Sequence, residues 1–193
     1  KRQILVTSGG GEDGYQLLST YAKTLPELAG DDLHHVLVCG PEMALDKRQA
    51  IAHAVTDRTD VDVLEFSDDM MGLMQAADVV VSMSGYNTVC ELFSLRKRAV
   101  LVPRIKPVQE QWIRAHRLAQ LGLARTIHPD TLTPRSLAHA VRAELDQINV
   151  RPRAMYQLDL DGLPRIRDAV ARLLGDTPAQ RLHARTPLSA SAG

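Results

Sequence analysis

The 193-residue sequence predicts an α/β fold, a parallel sheet of about six strands with helices on both faces. Three features point to it. Short β-branched runs alternate with stretches of helical period up to about residue 174. Glycine or proline closes most of the segments, as in Gly9-Gly10-Gly11, Gly40-Pro41, Pro103 and Gly122. The runs Val79-Val80-Val81 and Ala99-Val100-Leu101-Val102 are apolar without alternation, the mark of strands buried on both faces. Right-handed crossovers then impose a doubly wound, Rossmann-like layout.

The elements follow in order. Ile4 to Thr7 reads as a strand, and Tyr15 to Leu25 as a helix stopped before Pro26. His35 to Cys39 is the second strand, followed by a helix over Glu42 to Val55. Val61 to Phe66 is the third strand, and Asp68 to Ala77 a helix with Ser67 or Asp68 as its cap. Val79 to Ser82 leads to a helix over Asn87 to Leu95, and Ala99 to Val102 to a helix over Gln109 to Leu121. Ala124 to Ile127 is a short sixth strand, and Thr133 or Pro134 opens a helix to about Ile148. Residues 150–162 read as irregular, Leu163 to Leu174 as a last helix, and the stretch from Gly175 as a disordered tail rich in Ala, Ser, Thr, Pro and Arg.

Length suits one domain over residues 1–174, and 45% apolar residues suffice for a real core. Lys plus Arg equal Asp plus Glu at 23 each, so no global charge attracts nucleic acid. Cys39 and Cys90 both sit in apolar segments and read as buried free thiols, which suits a reducing, cytoplasmic compartment. No apolar run approaches the ~20 residues that span a bilayer, and no signal peptide is visible. The chain opens without Met directly into a strand, which suggests a piece of a longer chain or a processed end.

Ligands of open parallel sheets bind beyond the carboxyl ends of the strands. Three loops there carry unusual chemistry. Ser8-Gly9-Gly10-Gly11-Glu12-Asp13-Gly14 lets backbone approach a ligand, although it lacks the spaced G-x-G-x-x-G fingerprint; a tight turn without ligand contact is equally open. Ser82-Met83-Ser84-Gly85-Tyr86-Asn87-Thr88 crowds small and hydroxyl residues at a helix N-terminus, where unpaired N–H groups suit a diphosphate. The alternative is an ordinary cap by Ser84, Asn87 or Thr88. Glu91 follows in an apolar stretch, where its carboxylate needs a partner such as a ribose diol or the helix N-terminus itself. The third loop, Pro103-Arg104-Ile105-Lys106-Pro107-Val108, leads into Gln109-Glu110-Gln111, whose polar groups suit sugar hydroxyls or a solvated first turn.

These segments, from Glu65-Phe66-Ser67-Asp68-Asp69-Met70 through Ala77 to Gly85, Asn87 to Leu92, Ala99 to Pro103 and Glu110-Gln111 to Gly122, occur together in one order. That order resembles the C-terminal domain of family 28 glycosyltransferases, which include the N-acetylglucosaminyltransferases of lipid II synthesis. The likeness covers roughly residues 2–174. It implies the donor-binding half of a GT-B fold, with a second, acceptor-binding domain outside this chain. By family position Phe66 and Met70 would border the base of a UDP-sugar, and Glu91 would hold the ribose. Ser84, Gly85, Asn87 and Thr88 would line the diphosphate, and Glu110 and Gln111 would touch the sugar. Ser8, Gly9 and Gly10 would form the glycine loop. The resemblance implies no metal and no further cofactor, and a catalytic base on the other domain. It leaves room for peripheral membrane contact through that domain.

Two departures stand out. Acidic Glu12 and Asp13 follow the glycines where lipid II enzymes have Gly-Gly-Ser and a polar residue, and Glu110 replaces the first of a glutamine pair. His116 is expected on an exposed helix face, and His34-His35 at the far end of the sheet. Met71 and Met74 read as packing, and Asp159, Asp161 and Gly162 as turn chemistry. Rival readings are a nucleotide-sugar hydrolase or 2-epimerase on the same plan, or a donor-binding subunit acting with a separate chain. A dehydrogenase domain is disfavoured, because Cys39-Gly40-Pro41 stands where an acid should end the second strand.

Overall fold

The computed structural model describes residues 1–30, 32–147 and 161–175. The chain forms two compact units, Lys1–Leu158 and Asp159–Gly193. In the first, six parallel strands stand in the order β3-β2-β1-β4-β5-β6. They are β1 (Arg2–Thr7), β2 (Leu33–Val38), β3 (Val61–Leu64), β4 (Val79–Ser82), β5 (Arg98–Leu101) and β6 (Arg125–Thr126). The helices between them are α1 (Tyr15–Thr24), α2 (Leu45–Ala54), α3 (Met70–Ala76), α4 (Tyr86–Ser94), α5 (Glu110–Gln120) and α6 (Pro134–Leu145). In the second unit the described residues form one helix, α7 (Leu163–Leu173), which presents Leu163, Ile166 and Val170 to solvent.

The period of two in the strands sorts the core. Ile4, Val6, Val79 and Val81 point to one face and pack with Leu18, Tyr21, Ile51 and Val141 from α1, α2 and α6. Leu5, Val80 and Leu101 point to the other and meet Met74, Leu92 and Ala115 from α3, α4 and α5. Both layers are almost fully dry, and each fully buried aliphatic side chain contributes about 1.5–3 kcal/mol. This explains why the strands lack alternation: both of their faces are covered.

The order of the strands places the site. The chain winds outward from β1 to β3, then returns to lay β4 on the other side of β1. Thr7 therefore pairs with Val38 on one side and Ser82 on the other. The loops leaving Thr7 and Ser82 part at this reversal and open a crevice.

Several boundaries differ from the sequence reading. β1 starts at Arg2, β2 ends before Cys39 and β3 ends before Glu65. Helix α2 starts at Leu45 instead of Glu42, because residues 40–43 turn back on the glycine loop: the Glu42 N–H donates to the Gly10 carbonyl at 2.8 Å. Asp69, not Ser67 or Asp68, caps α3 by accepting from the Gly72 N–H at 2.8 Å. Helix α6 ends at Leu145 instead of Ile148, and Thr133 caps its start in a reciprocal box with Ser136. The expected irregular stretch before residue 161 and the tail beyond 175 lie outside the described residues, as does Asp159. Both cysteines are free; Cys39 is buried as expected, while Cys90 is only half-buried. No helix among the described residues is long and apolar enough to cross a membrane.

The amino end of the sheet is closed by internal pairs. Glu144 holds Arg98 at 2.9 Å and Arg125 at 3.2 Å. The Tyr21 hydroxyl lies 2.9 Å from His35 Nδ1, and His34 meets Asp62 at 2.9 Å. Burial pushes His35 down to about 4 and raises the Tyr21 phenol, so the phenol donates to a neutral imidazole. The sequence reading placed both histidines at this end, and they lie there.

Candidate functional site

At the opposite end, the crevice between β1 and β4 deepens into a cavity of about 490 Å³. Of the residues the sequence singled out, Ser8, Gly9, Gly10, Met70, Gly85, Asn87, Thr88, Glu91 and Gln111 all line it. Met74, read as packing only, is buried yet also reaches the wall. Ser84 lies beneath the lining, fully buried, and its hydroxyl donates to the Gln111 carbonyl at 2.7 Å. Phe66 and Glu110 fall outside the lining. Phe66 is 59% exposed, and Glu110 is engaged by Arg114 across one turn of α5.

The first wall is the loop after β1. Packing demands two of its glycines, Gly11 and Gly14. A Cβ on Gly14 would lie 1.8 Å from Ser8 Cβ, and one on Gly11 would lie 2.7 Å from the Cys39 carbonyl at φ +103°. Gly40, at φ +91°, answers from the facing turn, where a Cβ would meet the Gly9 carbonyl at 2.5 Å. The Ser8 hydroxyl completes the clasp by donating to the Cys39 carbonyl at 2.6 Å. Gly9 and Gly10 have room: a Cβ on Gly9 would meet Thr88 Oγ1 across the crevice at 3.8 Å, and one on Gly10 would meet Glu42 Cγ at 3.6 Å. The loop is therefore both a tight turn and a cavity wall.

The second wall is the start of α4. Its cap residue is Gly85, and no side chain caps it. The first N–H groups of α4 thus keep their half-charge available beside Tyr86, Asn87 and Thr88, all in the lining. The expected caps by Ser84, Asn87 or Thr88 do not form: Ser84 turns to Gln111 instead. One turn on from Thr88, Glu91 projects from the same face into the same cavity. The side chains of Asn87, Thr88 and Glu91 make no hydrogen bond or ion pair among the described residues.

The third wall is the loop after β5. The Gln111 side-chain oxygen accepts from the Arg104 N–H at 3.3 Å, and the Arg104 guanidinium donates to Asp13 at 2.6 Å. Arg114 braces this region from behind: it donates to the Ser84 carbonyl at 2.7 Å and lies 5.6 Å from the Tyr86 ring centre. A second cavity of about 320 Å³, bordered by Lys106 and Pro129, shares Asp13, Met83 and Arg104 with the first.

Sequence reasoning missed Tyr86, Arg104 and Glu42 as lining residues, and treated Asp13 as an oddity. Arg104 carried the available signal, since it stands three residues beyond the buried strand β5, in a loop the sequence had already marked. His116 is exposed, as expected, and stacks at 5.3 Å on Trp112, whose other neighbour is His128 at 4.7 Å. Neither histidine lines the cavity. Among the described residues no cluster of His, Cys, Asp or Glu has the makings of a metal site.

A doubly wound parallel sheet with a cavity at its switch point, walled by a glycine loop and an uncapped helix, places the chain among the open α/β domains whose ligands bind at this crevice. Comparison with known proteins narrows the class. The glycosyltransferase family 28 C-terminal domain matches residues 3–167, and the chain belongs to that family. A UDP-N-acetylglucosamine--N-acetylmuramyl-(pentapeptide) pyrophosphoryl-undecaprenol N-acetylglucosamine transferase of Photobacterium profundum is 32% identical over 170 residues, 85% of this chain and 46% of that protein. The transferase of the same name from Methylorubrum populi is 32% identical over 171 residues, again 85% of this chain and 44% of its own length. The chain thus spans about half the length of these relatives. Among solved structures, Acinetobacter baumannii MurG superposes with a TM-score of 0.73 at 22% identity, over 89% of this chain and 50% of that one. The calicheamicin glycosyltransferase does so at 0.65 and 23%, over 90% of this chain and 43% of its own. These likenesses establish the shared fold.

Proposed function

We propose that this chain is the donor-binding domain of a glycosyltransferase that uses a nucleoside-diphosphate sugar, with uridine as the base. One observation carries the reading: the uncapped start of α4 and the unpartnered Glu91 carboxylate share one face of one helix and one cavity. That spacing suits a diphosphate at the helix end and a ribose one turn along it.

The other residues follow from this anchor. Gly9 and Gly10 let the opposite wall approach the diphosphate, Asn87 and Thr88 offer it donors, and Ser84 and Ser8 hold the two walls in place. Met70, with Phe66 beyond it, borders the base. Gln111 reaches the sugar, while Glu110 is held back by Arg114. Uridine is the base in the names of the curated relatives, whereas the structural neighbour VinC was solved with DTDP.

An acceptor hydroxyl attacks the anomeric carbon, the bond from that carbon to the β-phosphate oxygen breaks, and the nucleoside diphosphate leaves with the electron pair. This chain fixes the donor and stabilises the growing phosphate charge through the α4 terminus. The acceptor and the base that takes its proton belong to a second domain, so this chain alone binds donor without turnover. Free Cys39 and Cys90 suit a reducing compartment, and we place the reaction in the cytoplasm.

Calorimetric titration of UDP, UDP-N-acetylglucosamine, GDP, TDP and NADH tests the reading. Selective binding of the uridine ligands is expected, weakened about tenfold or more by Glu91→Ala. Preference for GDP, TDP or NADH, or indifference to Glu91, would refute it.

A further inference from the structure

The lining of the cavity is poorly matched to an anion. Glu12, Asp13, Glu42 and Glu91 all border it, and Arg104 is the only basic residue among the described residues that do. An uncapped helix end supplies about half a positive charge. That alone does not offset a diphosphate entering among four carboxylates.

Arg104 has the position and the spare donors to complete the balance. Its guanidinium presents five N–H groups in a rigid fork. One of them is given to Asp13 Oδ2 at 2.6 Å, and the buried Nε meets no acceptor. The side chain is 35% exposed, so it is neither locked in the core nor lost to solvent. Its backbone N–H donates to the Gln111 side chain, which fixes the root of the arm beside the second loop. Arg114, the other guanidinium nearby, is committed to the Ser84 carbonyl and Glu110 and does not line the cavity.

We infer that Arg104 receives the donor's diphosphate, and that Asp13 holds the guanidinium in readiness until the donor displaces it. The inference rests on the donor-site reading above. The unexpected acid of the glycine loop thereby gains a role. Asp13 is a stand-in for the phosphate, 91 residues from its partner in sequence. A guanidinium pairs with phosphate oxygens through two parallel hydrogen bonds, so exchanging one carboxylate contact for two phosphate contacts favours the bound state. The same contact strengthens as charge builds on the departing phosphate.

The test compares UDP with uridine, titrated into the wild-type chain and four variants. Arg104→Gln should weaken UDP about tenfold or more while leaving uridine within about twofold. Arg104→Lys should recover part of the loss, because it restores charge without the fork. Asp13→Asn should tighten UDP several-fold, roughly, by removing the competitor. Lys106→Gln, which removes an equal charge from the neighbouring cavity, should leave UDP binding unchanged.

Equal losses for UDP and uridine in Arg104→Gln would make Arg104 a structural residue and overturn the inference. So would equal weakening by Lys106→Gln, which would reduce the effect to overall charge, and so would weaker UDP binding in Asp13→Asn. Wild-type binding of UDP with no effect of Arg104→Gln would overturn the inference and leave the donor site standing. Failure of the wild type to bind UDP would remove both.

Discussion

Two loops face each other across the crevice, and they are built on opposite terms. The loop after β1 is tied to the protein: Ser8 bonds to Cys39, the Gly10 carbonyl accepts from Glu42, and Gly11 and Gly14 leave no room for a Cβ. The start of α4, which the loop after β4 leads into, has kept its polar groups free. Gly85 begins α4 with no side-chain cap at an ordinary φ of −59°, and Asn87, Thr88 and Glu91 stay unpartnered among the described residues. One loop is a fixed wall and the other is an unsatisfied surface. A glycine can therefore mean two different things within one site: space for the protein at Gly14, and access for a ligand at Gly85.

Substitution should separate the two. Gly14→Ala places a methyl within 1.8 Å of Ser8 Cβ, so the first loop must break its clasp. We expect a loss of about 3 kcal/mol, a fall in Tm of roughly 10 °C in calorimetric unfolding. A Tm unchanged within about 2 °C would show that the wall is not fixed and would erase the contrast.

The amino end of the sheet offers a control, because His35 there is paired internally with the Tyr21 hydroxyl. His35 is held near 4, below the ordinary 6.5, by burial. The unfolded chain therefore takes up the proton first as pH falls. The stability due to neutral His35 is complete above about pH 6.5 and is lost as pH drops toward 4, on the order of 2 kcal/mol after allowing for solvent screening. Urea unfolding at pH 7 and pH 4.5 should show this loss in the wild type and a smaller one in His35→Gln. Donor affinity in the folded protein should not follow it.

The smallest stability effect, and the most telling, belongs to the second loop. Gly85→Ser should supply the missing cap and raise stability by only a few tenths of a kcal/mol. The new hydroxyl would then compete for the N–H groups that the diphosphate needs, and affinity for UDP should fall about tenfold. Stability and binding moving in the same direction in this variant would contradict an anion site at α4.

The sequence carried the six strands and their helices, because buried parallel strands and amphipathic helices leave strong local patterns. It also carried the elements that line the cavity, since the loops at a switch point follow from strand order. Local pattern did not carry the pairings across the chain. The bond between Arg104 and Asp13 joins residues 91 apart, and nothing in either neighbourhood announces it. The start of α2 was misplaced for a similar reason: Glu42 is drawn out of the helix by Gly10, a residue on another loop. Ser84, expected to line the diphosphate, is buried beneath the cavity instead, because a hydroxyl beside a helix end can turn to a carbonyl on α5 as readily as to a ligand.

The most direct measurement is a UDP titration of the isotopically labelled chain, followed through its backbone amide resonances. A diphosphate site at α4 predicts the largest shifts on Gly9, Gly10 and the amides of Tyr86, Asn87 and Thr88, while Arg98, Arg125 and the amino end of the sheet stay still. Shifts centred on the Arg98–Glu144 end, or spread without reference to α4, would contradict it.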